Sequence, residues 1–189
     1  LKWEKKDTIA PLSVSIAGGV LVYHDGGRLV SVNSGTGAEN WRSDEASRRQ
    51  MIQCNFAPRV VIYQDLVLYA GGDNKMKGYD LATGRELWES QHDPSGYQSP
   101  QDLLVVGGLV WSAPLTSGQH SGVYTGRDPR TGEVKKEFPP DVKTYWFHHR
   151  CYIAKATERF LIPSRTGIEF VDPATEHWDI NHWVRGGCL

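Results

Sequence analysis

The stretch Tyr79-Asp80-Leu81-Ala82-Thr83-Gly84-Arg85-Glu86-Leu87-Trp88 decides the reading of this chain, because most of the sequence can be laid over it. It contains an acidic residue that opens a turn, a Thr-Gly corner, and a tryptophan eight residues beyond the aspartate. Upstream, Val32-Asn33-Ser34-Gly35-Thr36-Gly37-Ala38-Glu39-Asn40-Trp41 repeats it with Asn for Asp. Downstream, Arg127-Asp128-Pro129-Arg130-Thr131-Gly132 repeats the turn without the tryptophan, and Val171-Asp172-Pro173-Ala174-Thr175 is a worn fourth copy in which Glu176 replaces the glycine. The corner residues Thr36, Thr83, Thr131 and Thr175 are separated by 47, 48 and 44 residues, the period of a repeated supersecondary unit.

Each part of the corner has a physical task. A leading Asp or Asn accepts hydrogen bonds from backbone N–H groups two or three residues on and pins the turn. The glycine takes the positive-φ position that closes a short loop, so Gly37, Gly84 and Gly132 read as backbone requirements. The tryptophan is a wide, flat group that can fill the gap between neighbouring sheets, burying about 200 Å² per side chain.

Between the corners the chain alternates apolar and polar residues over short runs. Pro11 to Tyr23 reads as a strand, a Gly18-Gly19 turn and a second strand, with Val14, Ile16, Val20 and Val22 on buried faces. Further strands are expected at 28–32, 60–63, 66–69, 76–79, 102–106, 109–113 and 121–125, and in the last unit at 159–163 and 167–171, after which Trp178 leaves the pattern. Ala46 to Gln53 fits a short helical turn on an exposed loop. No 3.6-residue period of useful length occurs, so the class is all-β. The repeats are placed at 1–41, 58–89, 100–138 and 145–183 within a single partial domain, 1–189.

Composition narrows the function. The chain has 189 residues, 39% of them hydrophobic, enough for a real core. A formal net charge of -1 with scattered Lys and Arg provides no field for nucleic acid. No apolar run approaches a membrane helix. Leu1-Lys2-Trp3-Glu4 matches the repeat tail Leu87-Trp88-Glu89, from which an internal fragment of a longer protein is expected.

Short four-stranded sheets repeating at this period are the sequence signature of a β-propeller. The pattern Asp/Asn-x-x-Thr-Gly-x-x-x-Trp resembles the tryptophan-docking repeat of PQQ-like (quinoprotein-type, BamB-like) β-propellers. The resemblance implies an all-β β-propeller with about four blades present, set in the periplasm or cell envelope or secreted. Tyr145 to Tyr152 and Trp178 to Cys188 are also similar to segments of large multidomain propeller proteins of planctomycete-type bacteria. The repeat specifies a fold rather than a reaction. The expectation is a noncatalytic binding or scaffold module for a protein or carbohydrate ligand on the propeller face, without a cofactor. The alternative is a fragment of a PQQ-dependent quinoprotein alcohol dehydrogenase with PQQ and calcium.

Chemistry-bearing residues gather where the repeat wears out. Tyr145 to Tyr152 and Trp178 to Arg185 mix aromatic rings, histidines and arginines, the residue types enriched at interface hot spots, and give the candidate binding surface Trp146, His148, Arg150, His182, Trp183 and Arg185. His149, Cys151, His182 and Cys188 are zinc or copper ligand types without a ligand spacing, so no metal is expected. Cys151 and Cys188 are the disulfide candidates of an extracytoplasmic chain, against free buried thiols, and Cys54 is left over. There is no G-x-S-x-G elbow, and Glu169 and Asp179 are the carboxylates that turn chemistry does not explain.

Overall fold

The computed structural model of the chain describes residues 2–49, 57–92, 102–112, 116–117, 120–121, 123–139, 154–163 and 168–181. The chain divides into two compact units, the first Leu1–Gln91 with Arg130–Gly132 and the second His92–Pro129 with Glu133–Leu189. All regular structure among the described residues is β.

In the first unit, β1 (Ser15–Ala17), β2 (Val20–His24), β3 (Arg28–Asn33) and β4 (Glu39–Glu45) form one antiparallel sheet in chain order. A second such sheet contains β5 (Arg59–Tyr63), β6 (Leu66–Ala70), β7 (Lys75–Asp80) and β8 (Glu86–Gln91). The β-branched run Val60-Val61-Ile62 and the apolar run Leu66-Val67-Leu68 suit a pleated, buried surface. Gly18 and Gly19, with φ of 55° and 81°, make the two-residue turn between β1 and β2. Val22, Leu29, Trp41, Val60, Val67, Tyr69 and Tyr79 make the apolar core of this unit.

In the second unit, β9 (Leu104–Val106), β10 (Leu109–Ser112), β13 (Tyr124–Arg127) and β14 (Val134–Phe138) form a sheet in that order. The small hairpin of β11 (Thr116–Ser117) and β12 (His120–Ser121) lies between its second and third strands in sequence. Then β15 (Lys155–Ala156), β16 (Leu161–Ile162), β17 (Ile168–Asp172) and β18 (His177–Asn181) form the last sheet. The core here contains Val106, Trp111, Tyr124, Phe138, Leu161, Val171 and Trp178. Tyr124 stacks on Phe138 with centroids 5.1 Å apart and meets Trp178 edge-on at 5.3 Å, the preferred geometries for aromatic pairs.

Four local expectations change. Val14 and Ile16 are 49% and 64% exposed rather than buried, because β1 is an edge strand covered on one side by β2. Ala46 to Arg49 is irregular rather than helical, and the rest of that predicted turn lies outside the described residues. The strand β14 was not anticipated, since its run Val134-Lys135-Lys136-Glu137-Phe138 carries three charges. Trp178 does not leave the pattern but pairs with Val171 inside the last ladder.

The face Trp178 takes follows from its place ahead of the point where the other sheets bulge. The first three sheets each carry a register shift before the corner, at Ser31/Val32, Gly78/Tyr79 and Gly126/Arg127. The ladder between β17 and β18 is regular from Ile168↔Asn181 to Asp172↔His177. Trp88 stands eight residues after Asp80, whereas Trp178 stands six after Asp172. Paired with Val171, Trp178 takes the place that Glu39, Glu86 and Val134 hold opposite Val32, Tyr79 and Arg127, ahead of the bulge, whereas Trp88 follows the bulge and pairs with Gly78, so the two rings lie on opposite faces.

Candidate functional site

The corners behave as their sequences require. Asn33 Oδ1 accepts from the N–H groups of Gly35 and Thr36 at 2.9 and 3.0 Å. Asp80 Oδ1 accepts from the Thr83 N–H at 2.8 Å and from its hydroxyl at 2.7 Å. Thr83 and its N–H hold the Asp80 carboxyl below the usual carboxylate range. Gly37, Gly84 and Gly132 have φ of 75°, 73° and 73°, the left-handed region a glycine enters without strain.

Within the first unit, each of these glycines is also the seat of an indole. A Cβ on Gly37 would stand 2.6 Å from the Trp3 ring and one on Gly132 2.7 Å from the Trp88 ring, and one on Gly84 would collide with Trp41. Trp3 donates its indole N–H to Ser34 O at 2.9 Å, and Trp41 donates to Leu81 O at 2.7 Å. Both acceptors are the residue after the corner's Asn or Asp. The ring therefore packs on the glycine while its one polar group is satisfied by the corner backbone, which removes the cost of burying it.

The corner at Asp172, in the second unit, keeps the pinned turn, with Asp172 Oδ1 accepting from the Ala174 N–H at 2.9 Å, but departs in the contacts around it. In the second sheet, Leu68, Gly78 and Trp88 lie abreast across three strands. In the third, the corresponding row is Trp111, Gly126 and Lys136, so the tryptophan has crossed to the other side of the glycine and a lysine holds its former place. Lys136 Nζ donates to Ala174 O at 3.2 Å and pairs with Glu176 Oε1 at 3.2 Å. Glu176, in the glycine's place, has φ of 60°. The indole-on-glycine contact has been exchanged on both sides for an ion pair.

The adjacent hairpin changes as well. Ser34 N–H donates to Gly19 O and Leu81 N–H to Asp65 O, both at 2.9 Å, tying each corner to the first hairpin of its own sheet. Pro173 has no N–H to donate at the matching position. The tie is made by side chains: Arg159, on the wider turn Thr157-Glu158-Arg159-Phe160, donates from Nε to Asp172 Oδ2 at 2.8 Å and approaches it with Nη2 at 2.8 Å. The Arg159 side chain is 69% exposed and that of Asp172 4%. Arg159 holds the Asp172 carboxyl below its ordinary range.

These exchanges leave a cavity of about 510 Å³, whose lining includes apolar Val106, Leu109 and Trp111 and charged Lys136, Glu158, Arg159 and Asp172. It is of ligand-pocket size. Spacing analysis missed it. Its signals were the lysine at the tryptophan position and the replacement of a Gly-Gly hairpin by residues 157–160.

Two other buried ionisable groups, His24 and Lys77, are held by contacts within their own unit. His24 is buried, stacks on Tyr69 with centroids 5.4 Å apart, accepts from Gly26 N–H through Nδ1 at 3.0 Å and meets Ala46 O through Nε2 at 2.8 Å. These bonds assign the proton to Nε2, and burial lowers its pKa, so the ring is neutral. Burial opposes the charge on Lys77, but Glu86 and Glu89, each at 2.9 Å, hold its pKa above the ordinary value. Glu169 is on a buried face and Asp179 on an open one, so they form no facing carboxylate pair.

The candidate binding surface Trp146, His148, Arg150, His182, Trp183 and Arg185 lies outside the described residues, as do His149, Cys151, Cys188 and Cys54. Among the described residues, no group of three His, Cys, Asp or Glu side chains is placed to hold a metal. The cavity does not fit PQQ with calcium, since Lys136 and Arg159 are already paired and Asp172, its buried carboxylate, is taken by Arg159 and the Ala174 N–H at 2.9 Å. No helix among the described residues is long and apolar enough to cross a membrane.

Comparison with known proteins fits the repeat. No curated protein sequence matches the chain significantly. Among solved structures, BamB from Moraxella catarrhalis is similar with a TM-score of 0.63 and 18% identity over 94% of this chain, which spans 51% of that one. The computationally designed Ika4 protein is similar with a TM-score of 0.55 and 14% identity, over 97% of this chain and 94% of that one. A europium-containing methanol dehydrogenase gives 0.53 and 14%, over 89% of this chain and 40% of that one. At these identities the likeness shows the fold, an all-β partial propeller. The family model described as outer membrane protein assembly factor BamB matches residues 2–139, nearly three-quarters of the sequence, and the chain therefore belongs to this PQQ-like propeller-repeat family.

Proposed function

We propose that the chain is a noncatalytic binding or scaffold module of the bacterial cell envelope whose partner is a protein. The observation that carries this reading is an apolar strip at the start of the first unit: Ile9, Leu12, Val14 and Ile16 are between 47% and 64% exposed. Isolated exposed aliphatics are ordinary, but four within eight residues beside the edge strand β1 are the kind of surface proteins bury against one another. The family description, an assembly factor for outer membrane proteins, supports a protein partner and an extracytoplasmic setting.

The test uses the full-length protein. A photo-crosslinking residue placed at Ile16 is expected to give a discrete protein adduct in cells, reduced by Ile9→Asp and absent when the crosslinker is moved to exposed Lys155. The opposing result is alcohol-dependent reduction of an artificial electron acceptor that requires added PQQ and calcium, which would make the chain part of a quinoprotein dehydrogenase.

A further inference from the structure

The repeat shows what normally occupies the position that Lys136 has taken. Trp3, Trp41 and Trp88 each lay an indole on a corner glycine. At the Asp172 corner the indole is gone, and a cavity of about 510 Å³ lies beside the lysine that replaced it. The two sides of the contact have changed together, Trp to Lys and Gly to Glu, and the new residues pair with each other at 3.2 Å. A collapsed seam would have left no such volume.

The rim limits what can enter. Lys136 is held by Glu176 and Ala174 O, and Arg159 by Asp172. A ligand with a net charge would compete with these pairs and with Glu158, and drawing Arg159 away would leave the nearly buried Asp172 uncompensated, which is costly. A neutral ring need not. Its faces would meet Val106, Leu109 and the rim of Trp111, apolar and aromatic surface suited to a planar group. It cannot lie as Trp41 lies on Gly84, because Glu176 supplies a side chain where the other corners have none. The ring would sit deeper, against the apolar wall.

We propose that this cavity binds an uncharged aromatic ring, an indole foremost, presented by a protein partner that completes the seam as the repeat's own tryptophans complete theirs. The protein origin of the ring rests on the binding-module reading; the cavity's preference for the ring does not.

The probe is N-acetyltryptophanamide, a peptide-like neutral indole, titrated into the full chain by ligand-observed NMR. Saturable binding is expected with a Kd of roughly 0.1 to 1 mM, the range for a ligand of this size. Indole-3-acetate and tryptamine, its anionic and cationic relatives, should bind more weakly by about two- to fivefold, the most that one exposed ion pair supplies. The double variant Lys136→Trp, Glu176→Gly, which refills the seat from within, should lose the site, and Leu109→Ala, a milder change, should weaken binding about tenfold. No saturation by ~10 mM, equal binding of the charged relatives, or undiminished binding in folded double variant would each overturn the assignment. Such a failure would leave the Ile16 cross-linking result standing.

Discussion

The corner at Asp80 and the corner at Asp172 are the same device built from different forces. At Asp80, Trp41 packs its ring on Gly84 and satisfies its N–H on Leu81 O, so the contact is apolar, dry and dependent on the absence of a side chain. At Asp172, Lys136 and Glu176 meet across partly exposed surface. Burial of a large apolar side chain is worth about 1.5–3 kcal/mol, and an exposed ion pair about 0–1 kcal/mol. The comparison separates a corner that stabilises its surroundings from one that has kept the turn and released the space.

The largest expected difference is between Trp88→Ala and Lys136→Ala, measured by urea unfolding. The first should cost about 3–5 kcal/mol if Trp88 is a buried wedge on Gly132. The second should cost less than about 1 kcal/mol. A loss under ~1 kcal/mol for Trp88→Ala would break the docking assignment. Next, Gly84→Ala should cost about 2–4 kcal/mol, from a left-handed backbone and a methyl group pressed into the Trp41 ring. At the other corner the reverse change, Glu176→Gly, relieves a left-handed non-glycine residue while losing a weak pair, and should shift stability by no more than about 1 kcal/mol in either direction.

A smaller effect concerns pH. His24 has a folded pKa below its ordinary 6.5, chiefly because it is buried. The unfolded chain therefore binds the proton first as pH falls. The stability this residue contributes is complete above about 6.5 and is lost as pH drops from there through the folded pKa. His24→Gln, which keeps a donor for Ala46 O, should flatten the unfolding midpoint between pH 7 and 5. An unchanged slope would mean that the ring is not held neutral.

Much of this contrast was legible in the sequence. Asp80, Thr83, Gly84 and Trp88 announce their roles because each depends on local chemistry: a side-chain acceptor, a positive φ and a ring at fixed distance. The change of Gly to Glu at 176 and the loss of the third tryptophan were readable in the same way. The destination of Trp178 was not read, although its six-residue spacing from Asp172 already places it where Glu86 stands after Asp80, on the reverse face from Trp88. The lysine at the tryptophan position and the changed hairpin at 157–160 mark the place of the cavity in the sequence, but the cavity itself was not readable. It depends on Lys136 reaching Ala174, on Trp111 taking the far side of Gly126, and on Arg159 arriving from a wider hairpin, three partners brought together only by the fold. Val14 and Ile16 were misread as buried for a related reason, since alternation gives the period of a strand but not whether anything covers it.

If the Asp172 corner is a tryptophan dock with both halves replaced, Lys136 for the ring and Glu176 for its glycine seat, a double-mutant cycle across the two positions will show coupling. Urea unfolding would be measured for the wild type, Lys136→Trp, Glu176→Gly and the double variant. A restored dock predicts that the tryptophan gains its seat only when the glutamate is removed, so the double variant should exceed the sum of the singles by about 1–3 kcal/mol. Additive effects within about 0.5 kcal/mol would contradict the claim.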